Sequence, residues 1–403
     1  MSKKILFLIS FSFLVIIFAG TNALAAVERL ERPERPEREV RVVSNKAEET
    51  IQAVSLGCVV LKEVKTLRAL RCPKEVAENL SLNEDVRVFA LDDEKNRAVR
   101  ISRSKTTNAS VGPLQQIGAD IVQASGNTGN SRKVAVLDTG YNYFHPELIS
   151  SFLEGWDFVN NDNDPFDDNG HGSHVAGIIT ADGVDPKAKG VAPDAGVIAG
   201  KVLDQDGAGY FSDVVAAIYW VIDGPDGIYG NADDFGVDVI NLSLGTSPPY
   251  TYKNGYCDNV LPDLTTAIKY AKDKGVVVAT AAGNSGSSGV SIPGCISYST
   301  TVGAVNKYDK VASFSGRGNA VDISAPGVSI FSSILNNSYA TWSGTSMATP
   351  MVSGVVALIK SAHSAYTSSQ VENALFNTAK DLGKRGKDTS YGYGRVNATP
   401  AVK

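Results

Sequence analysis

Short apolar runs alternate with longer helix-like segments through most of the chain after residue 113, and this alternation restricts the possible fold. Five runs have the length of strands: residues 133–137, 195–202, 238–242, 276–280 and 300–305. Helix-length segments occupy residues 174–180, 212–221, 261–274, 347–361 and 368–378. Strand–helix alternation predicts an α/β fold: a three-layer, doubly wound, mostly parallel sheet with helices on both faces. Functional residues then collect beyond the carboxyl ends of the strands.

The charge distribution divides the chain near residue 106. Residues 26–105 are densely charged and slightly basic, whereas the rest is acidic and less charged. We predict three segments: 1–25 as a signal peptide, 26–106 as a propeptide and 107–403 as the main domain. Within the second, residues 27–41 have the composition of a disordered tether. Residues 64–72, 73–80 and 85–90 predict a strand, a helix and a strand of a small α+β unit that docks on the acidic body.

The N-terminus predicts export. A lysine pair at residues 3–4 precedes an apolar run at residues 5–19 and an Ala-Leu-Ala pattern at residues 23–25, which together are typical of a secretory signal peptide. A retained membrane anchor is the alternative, although the run is shorter than the ~20 residues a spanning helix needs. We expect a secreted, extracellular protein with no membrane contact after processing, and the acidic body argues against a nucleic-acid partner.

Four cysteines are compatible with two disulfides in an exported protein. Cys58 and Cys72 lie in the charged segment, and Cys257 and Cys295 lie in the main domain. Pairing within each half is the simplest arrangement. Two pairs of buried free thiols are the alternative.

Residues 344–350, Gly-Thr-Ser-Met-Ala-Thr-Pro, precede an apolar run of helical length. Ser346 is therefore expected in the first turn of a buried helix. Free N–H groups and a partial positive charge at that end would stabilise an oxyanion, so Ser346 is a candidate nucleophile. Such a serine can equally be an N-cap.

Two further candidates follow strands or begin helices. Asp138 directly follows the strand at 133–137 and begins an Asp-Thr-Gly triplet that also occurs in aspartic proteases. A second, similar triplet, Asp-Thr-Ser at 388–390, has too few residues after it to build the second lobe of such an enzyme, which excludes that class. His171 lies among glycines at a helix start, which suits a general base. His171 and His174 could bind zinc, but no carboxylate or cysteine lies nearby at ligand spacing, and His174 is expected to be structural.

Asn284 follows the strand at 276–280 in a glycine-rich loop. Its side chain could be an ordinary turn residue or a donor to a developing oxyanion. The segment Asn-Leu-Ser-Leu-Gly at 241–245 also ends a strand, where exposed backbone could pair with an extended peptide.

In chain order these candidates are Asp, His, Asn and Ser, and the sequence resembles the subtilisin-like serine protease family. The resemblance runs from about residue 113 to Asn397. It is carried by the segments at 136–140, 145–147, 171–177, 190–193, 241–245, 282–285, 312–315, 325–327 and 344–350. Residues 65–95 also resemble the later half of that family's prosegment, which acts as an intramolecular chaperone and inhibitor.

The resemblance implies a role for each candidate. Ser346 would be the nucleophile, His171 its base and Asp138 the group that orients the imidazole. Asn284 would donate to the oxyanion, together with the Ser346 N–H. Two edges would sandwich an extended substrate: Ser243, Leu244 and Gly245 on one side, and Gly207, Ala208 and Gly209 on the other. Three residues depart from the family's usual ones: Ser173 is a small change beside the base, and Met351 and Ser353 are interpreted as packing variants.

An acidic loop at residues 223–234 is the clearest departure from the family pattern. Its carboxylates, glycine turns and asparagine are of the kind that calcium prefers, so we predict a structural Ca²⁺ site there. A solvated acidic loop is the alternative. The predicted ligands are Asp223, Asp226, Asp233 and Asp234. A second site near Glu147, Asp182 and Asp185 is also compatible with the sequence.

These observations predict a secreted serine endopeptidase made as a proenzyme and expected to be a monomer. It would hydrolyse polypeptides through an acyl-enzyme without a catalytic cofactor, and its own prosegment would be its inhibitor. Self-cleavage is expected within residues 100–112. The alternative is a secreted, inactive pseudoprotease that binds peptides. The sequence does not indicate which side chain is preferred before the cleaved bond.

Overall fold

The computed structural model describes residues 39–92 and 112–403, and these belong to one compact unit. The predicted signal peptide, residues 27–38 of the predicted tether and nearly all of the predicted cleavage segment lie outside the described residues. Within the described part, no helix has the length and apolar character needed to cross a membrane.

The N-terminal part, residues 39–92, is a small α/β layer with its own core. Its strands are β1 (Glu39–Ser44), β2 (Val59–Val64), β3 (Leu67–Pro73), β4 (Asn83–Glu84) and β5 (Arg87–Ala90). Its helices are α1 (Ala47–Ser55) and α2 (Lys74–Asn79). Strands β2, β3, β1 and β4 form an antiparallel sheet in that order. A Cys58–Cys72 disulfide lies within the core that these helices cover, so the predicted pairing is confirmed.

The expectation that the tether extends to residue 41 is wrong. Residues 39–41 form the start of β1, which pairs along its whole length with β3, Glu39 opposite Pro73 and Ser44 opposite Arg68. The charged residues 39 and 41 continue the composition of the preceding stretch, but they alternate with valine, and pairing with β3 fixes them as a strand.

The main domain contains a seven-stranded parallel sheet, which confirms the predicted fold class. The sheet has the order β16-β15-β13-β10-β6-β8-β7. Its strands are β6 (Lys133–Asp138), β7 (Phe152–Asp157), β8 (Gly196–Lys201), β10 (Val239–Leu242), β13 (Val277–Ala281), β15 (Thr300–Val305) and β16 (Ile323–Pro326). Strands β7 and β16, at the two edges, were not anticipated from the sequence.

Helices cover both faces of this sheet, and a separate apolar cluster fills each side. They are α3 (Pro113–Ile117), α4 (Ala119–Ala124), α5 (His171–Thr180), α6 (Phe211–Asp223), α7 (Pro262–Asp273), α8 (Thr345–Ala362), α9 (Ser368–Asn377) and α10 (Ala398–Ala401). Helix α8 is buried from its first residue to Ile359. Because an all-round apolar helix is stable only inside a core, α8 fixes the position of its N-terminus rigidly.

Three small sheets complete the domain. Their strands are β9 (Ala208–Tyr210), β11 (Leu244–Gly245), β12 (Thr251–Tyr252), β14 (Val290–Ser291), β17 (Ile330–Ser333) and β18 (Tyr339–Trp342). Strand β12 pairs with β14, and β17 pairs with β18. The third sheet, β11-β5-β9, places a strand of the N-terminal part between two strands of the main domain. A Cys257–Cys295 disulfide confirms the second predicted pairing.

Candidate active site

Asp138 and His171 form a buried pair. Asp138 is the last residue of β6, and His171 begins α5. The Asp138 Oδ1 atom lies 2.6 Å from His171 Nδ1, and both side chains are fully buried. The same oxygen accepts a hydrogen bond of 2.7 Å from the Thr139 N–H. This carboxylate therefore fixes the imidazole in one orientation, with Nδ1 as the donor.

Opposing effects act on the pKa of His171. Burial would lower it, but the charge and hydrogen bond of Asp138, together with the charges of Asp92 and Asp167, raise it above its ordinary value. Within residues 39–92 and 112–403, no group hydrogen-bonds to His171 Nε2. The pair thus presents a basic nitrogen that is oriented but not engaged.

Asp167 organises the N-terminus of α5 and was missed by the sequence analysis. Its Oδ1 accepts N–H bonds of 2.8 Å from Gly170 and 3.0 Å from Asn169. Its Oδ2 accepts from the N–H and hydroxyl of Ser173, at 2.8 and 2.6 Å. Ser173, the third residue of α5, therefore holds Asp167 in place through both its N–H and its hydroxyl. An acidic residue four positions before the histidine, near a helix start, was the available signal.

Ser346 is the second residue of α8, after the N-cap Gly344, so the interpretation of Ser346 as an N-cap is wrong. Its hydroxyl donates to the Ser243 carbonyl oxygen at 2.8 Å and accepts from the Leu91 N–H at 3.1 Å. Serving as a nucleophile would require the hydroxyl to turn from Ser243 towards a base.

The side-chain amide of Asn284 is fixed through its oxygen and donates through its nitrogen. Its Oδ1 accepts hydrogen bonds from the Thr345 N–H and hydroxyl, at 3.0 and 2.9 Å. Its Nδ2 donates to the carbonyl oxygen of Leu91 at 2.8 Å. An amide clamped in this way is a preorganised donor to a carbonyl oxygen beside Ser346.

The two predicted substrate edges are strands β9 and β11 and the residues beside them. They lie on either side of β5, in the sheet β11-β5-β9, with Phe89 opposite both Ala208 and Gly245. Leu244 is opposite Ala90, and the Ala90 N–H donates to the Gly207 carbonyl at 2.8 Å. The structure therefore brings the expected edges together around an extended segment, and Gly209 and Ser243 complete them.

A hydrogen-bond relay supports the backbone at Ser346. Ser353, two turns along α8, donates to Asn241 Oδ1 at 2.9 Å. Asn241 Nδ2 donates to the Ser243 hydroxyl, which in turn donates to the Ser346 carbonyl, both at 2.9 Å. Ser353 was expected to be a packing variant, but its hydroxyl begins this relay.

Two other buried polar side chains stand close to the pair. The ammonium group of Lys201, at the end of β8, donates to the carbonyls of Thr139 and Leu203 and to Asp168. His174 stacks on Trp342 with ring centroids 4.5 Å apart, and burial lowers its pKa to about 3. His174 is therefore neutral and structural in this arrangement.

The acidic loop does not form a cluster of metal ligands in this conformation. Asp223 accepts from the Tyr270 hydroxyl at 2.6 Å and pairs with Lys65 at 2.8 Å. Asp226, Asp233 and Asp234 each accept N–H bonds from the loop itself. Over residues 39–92 and 112–403, no three His, Cys, Asp or Glu side chains are grouped as a metal site requires.

The second possible calcium site also has another use. The buried Glu147 carboxylate accepts three N–H bonds of 2.7–3.0 Å from residues 183–185. It also accepts the Tyr339 hydroxyl at 2.9 Å, so this carboxylate serves as an anchor for the loop after α5.

Comparison with known proteins places this geometry in context. Residues 129–394 match the model of the "Subtilase family". The chain is 41% identical over 274 residues to the thermophilic serine proteinase of Bacillus sp. (strain AK1), covering 68% of this chain and 62% of that protein. It is 39% identical over 299 residues to subtilisin of Bacillus pumilus, covering 72% of this chain and 98% of that protein. It is 38% identical to thermitase of Thermoactinomyces vulgaris, over 68% of this chain and 90% of that protein.

Proposed function

The chain belongs to the subtilase family of serine endopeptidases, and from this premise we propose that it is a secreted proenzyme that cleaves polypeptides through an acyl-enzyme. The observation that carries the proposal is the buried, 2.6 Å contact of Asp138 with His171, which leaves Nε2 of the imidazole as the available base. Asp138, His171, Ser346 and Asn284 are the proposed catalytic residues.

Each side chain has a separate task in the proposed reaction. His171 Nε2 takes the proton from the Ser346 hydroxyl as its oxygen attacks the substrate carbonyl. Asp138 stabilises the imidazolium that forms, and Asn284 Nδ2 and the Ser346 N–H donate to the oxyanion. The imidazolium then gives its proton to the departing amine, and water hydrolyses the ester by the same base.

Residues 26–106 are proposed to be the prosegment. Supporting this, the described residues 39–92 have a separate small core, and strand β5 fills the groove between β9 and β11. Outside the groove, the Arg41 guanidinium lies between two carboxylates, 2.7 Å from that of Asp85 and 2.9 Å from that of Asp213. Lys62 also pairs with Asp213. We call these four residues the docking cluster. Strand β5 is held both by the groove and by the docking cluster, so it would keep other polypeptides out of the groove.

Labelling with a sulfonyl fluoride tests the proposed nucleophile. We expect the probe on Ser346 alone, and we expect Ser346→Ala to abolish labelling, peptide hydrolysis and removal of the prosegment. Ser343→Ala is the matched control, because Ser343 is a buried hydroxyl in the same loop whose oxygen accepts from the Ser329 N–H at 2.9 Å. Hydrolysis that survives in Ser346→Ala would refute the mechanism. The relatives named above are proteases, which gives the peptide-binding pseudoprotease no support.

Export is proposed from the N-terminal sequence, and the two disulfides support it, since such bonds persist in oxidising compartments. Expression of the full chain in a secreting host tests this. The processed protein should appear in the medium, and no part of it should retain residues 1–25. Retention of the full chain in the membrane fraction would favour the anchor instead.

Calcium is proposed only as a structural ion of the loop at 223–234, and no catalytic step uses it. The support is the donor chemistry, since four carboxylates and an asparagine lie within twelve residues. In this conformation the donors do not surround one point, so binding would have to rearrange the loop and release Lys65 from Asp223. A free Ca²⁺ concentration of about 100 times the Kd of the site should raise the free energy of unfolding by about 2.7 kcal/mol. An unchanged melting temperature after chelation of the mature protein would eliminate the site.

A further inference from the structure

After β5 the chain continues into the candidate active site as an extended backbone. Strand β5 pairs antiparallel with β9 and β11, with Val88 opposite Gly209 and Phe89 opposite Ala208. One residue further on, Leu91 has left the strand register but still directs its N–H towards the Ser243 carbonyl, at 3.4 Å. The segment is thus extended and bound by main-chain contacts on both sides up to this residue.

The Leu91 peptide unit contacts both the proposed nucleophile and the proposed oxyanion donor. Its carbonyl oxygen accepts from Asn284 Nδ2 at 2.8 Å, and its N–H lies 3.1 Å from the Ser346 oxygen. A Cβ atom on Gly344 would collide with this carbonyl oxygen, so the backbone of the segment lies directly against the N-cap of α8. The carbonyl is where an attacked carbonyl would be, beside both the nucleophile and the oxyanion donor.

The residue after Leu91 lies towards the base. The charge of Asp92 is among those that raise the pKa of His171. A leaving amine must receive its proton from the imidazolium, so the position of Asp92 near His171 fits the departing side of a cleaved bond.

We infer that the bond between Leu91 and Asp92 is the first one that this chain cuts in itself, and that the acyl side of the site binds extended segments that end in an aliphatic residue such as leucine. This inference rests on the proposed function. It moves the cut from the expected segment 100–112 to the end of β5, so that Asp92 becomes the first residue of the initial product.

Cleavage of the Leu91–Asp92 bond requires water as its only added reagent. The Ser346 oxygen bonds to the Leu91 carbonyl carbon, and the Leu91–Asp92 C–N bond breaks. The serine proton passes through His171 to the nitrogen of Asp92, which leaves as a free amine. Water then adds its hydroxyl to the Leu91 carbon as the ester bond to Ser346 breaks, and its remaining proton passes through His171 to the serine oxygen. Leu91 is left with a carboxylic acid, which ionises by releasing its proton to the solvent.

Small residues shape the pocket that receives the Leu91 side chain, which is almost entirely buried. A Cβ atom on Gly245 would lie 2.9 Å from Leu91 Cδ1 and 2.6 Å from the Ser291 hydroxyl. A Cβ atom on Gly283 would also collide with that hydroxyl. The pocket is therefore narrow beside the backbone, and a charged side chain would be buried there without an opposite charge among these neighbours.

Mapping the first product of the full-length chain tests the inference. The purified proenzyme is allowed to process itself, and early fragments are identified by N-terminal sequencing and intact mass. We expect one new N-terminus at Asp92 and a partner fragment that ends at Leu91. A first cut within residues 100–112 by a chain that is labelled at Ser346 would overturn the inference and leave the proposed function standing. A cut at Leu91 that persists in purified Ser346→Ala would overturn the proposed function instead.

Substitution of the acyl-side residue provides a second, independent measurement. Leu91→Asp should slow the cut at this bond at least about 100-fold, because a pocket that binds an aliphatic group discriminates strongly against a buried charge. Leu91→Met, which conserves volume, should stay within about tenfold of the wild type. Val111→Asp is the matched control in the segment 100–112 and should leave the rate unchanged.

Peptides keep the inference falsifiable if Leu91→Asp fails to fold. Val-Phe-Ala-Leu-Asp and the same peptide with Asp in place of Leu are given to the mature wild-type enzyme. We expect cleavage after leucine with a kcat/KM at least about 100-fold above that of the Asp peptide. Equal rates for the two peptides would overturn the assignment of Leu91 to this pocket.

Discussion

From the docking cluster we predict that the N-terminal part binds the main domain more tightly in mild acid. Asp85 lies at its centre: its carboxylate accepts from Arg41 Nε at 2.7 Å and from the Ser212 hydroxyl at 2.7 Å and N–H at 3.2 Å. Burial raises the pKa of Asp85 to about 6, against the opposing effects of Arg41 and the Ser212 hydrogen bonds, and the charge of Asp213 adds to the rise. Lys62 faces Asp213 in the same cluster.

The sign follows from linkage between proton binding and docking. Dissociation of the N-terminal part removes the contacts of Asp85 with Ser212 and Asp213 and exposes its carboxyl to water, so its pKa falls back towards the ordinary value of 3.8. Because the docked pKa is the higher one, docking gains stability that is fully present below pH 3.8 and is lost as the pH rises through about 6. The gain is about 1.4 kcal/mol at pH 5 and about 0.1 kcal/mol at pH 7, which makes docking about tenfold tighter at pH 5.

Inhibition of the mature enzyme by the added fragment 26–91 measures this effect. The wild-type fragment should show a Ki about tenfold lower at pH 5 than at pH 7, while Asp85→Asn, which cannot titrate, should show no such change. Taking the ratio of the two Ki values at each pH removes any effect of pH on the enzyme itself. Glu84→Gln is the matched control, since Glu84 is the exposed neighbour. The reasoning is refuted if Asp85→Asn retains the full pH dependence of the wild-type fragment.

Three further outcomes follow from contacts in the main domain. Asn284→Ala should lower kcat by about 10²–10³ with a much smaller change in KM, as peptide-hydrolysis kinetics would reveal, because the hydrogen bond from its amide to the substrate carbonyl strengthens as the oxyanion develops. Replacement of Cys257 and Cys295 by serine opens a link spanning 38 residues and should cost about 4 kcal/mol of unfolding free energy, measured by denaturant titration. Ser353→Ala removes the first donor of the relay through Asn241 and should lower kcat a few-fold, about 1 kcal/mol, without changing the melting curve by more than that amount. An unchanged kcat for Ser353→Ala would remove the relay from the positioning of Ser346.

The central side chains can be placed from the sequence because local patterns and topology agree there. Asp138 and Asn284 follow buried strands of one parallel sheet, so both side chains were expected at its carboxyl edge. The start of α8 was expected within two residues, because a long apolar run after Gly-Thr-Ser leaves few places for the helix to begin. These inferences require only the period of the pattern and the direction of the strands.

Other contributors depend on contacts between distant parts of the chain, which a periodic pattern cannot supply. Lys201 is a buried lysine at a strand end, and its role is apparent only from the Thr139 carbonyl beside it. Strand β1 begins with Glu39 directly after a charged, proline-containing stretch, and its first residues are identified as strand by their pairing with β3. Leu91 is a similar case. Nothing in the sequence around it distinguishes it from the other leucines, and its proposed role follows from the hydrogen bond that Asn284 donates to its carbonyl oxygen.

The arrangement separates cutting from release. In the proposed maturation, cutting takes place in the groove, where Leu91 meets Asn284 and Ser346. The bond to be cut belongs to the same chain as the nucleophile, so the covalent connection makes its local concentration high. Release depends on both the groove and the docking cluster, because a cleaved fragment keeps its strand pairing and its ion pairs with Asp213. A change confined to Arg41 or Lys62 should then speed release while leaving the first cut at nearly its original rate. The same strand can therefore be a substrate once and an inhibitor afterwards, because the bond that breaks lies beyond the contacts that hold it.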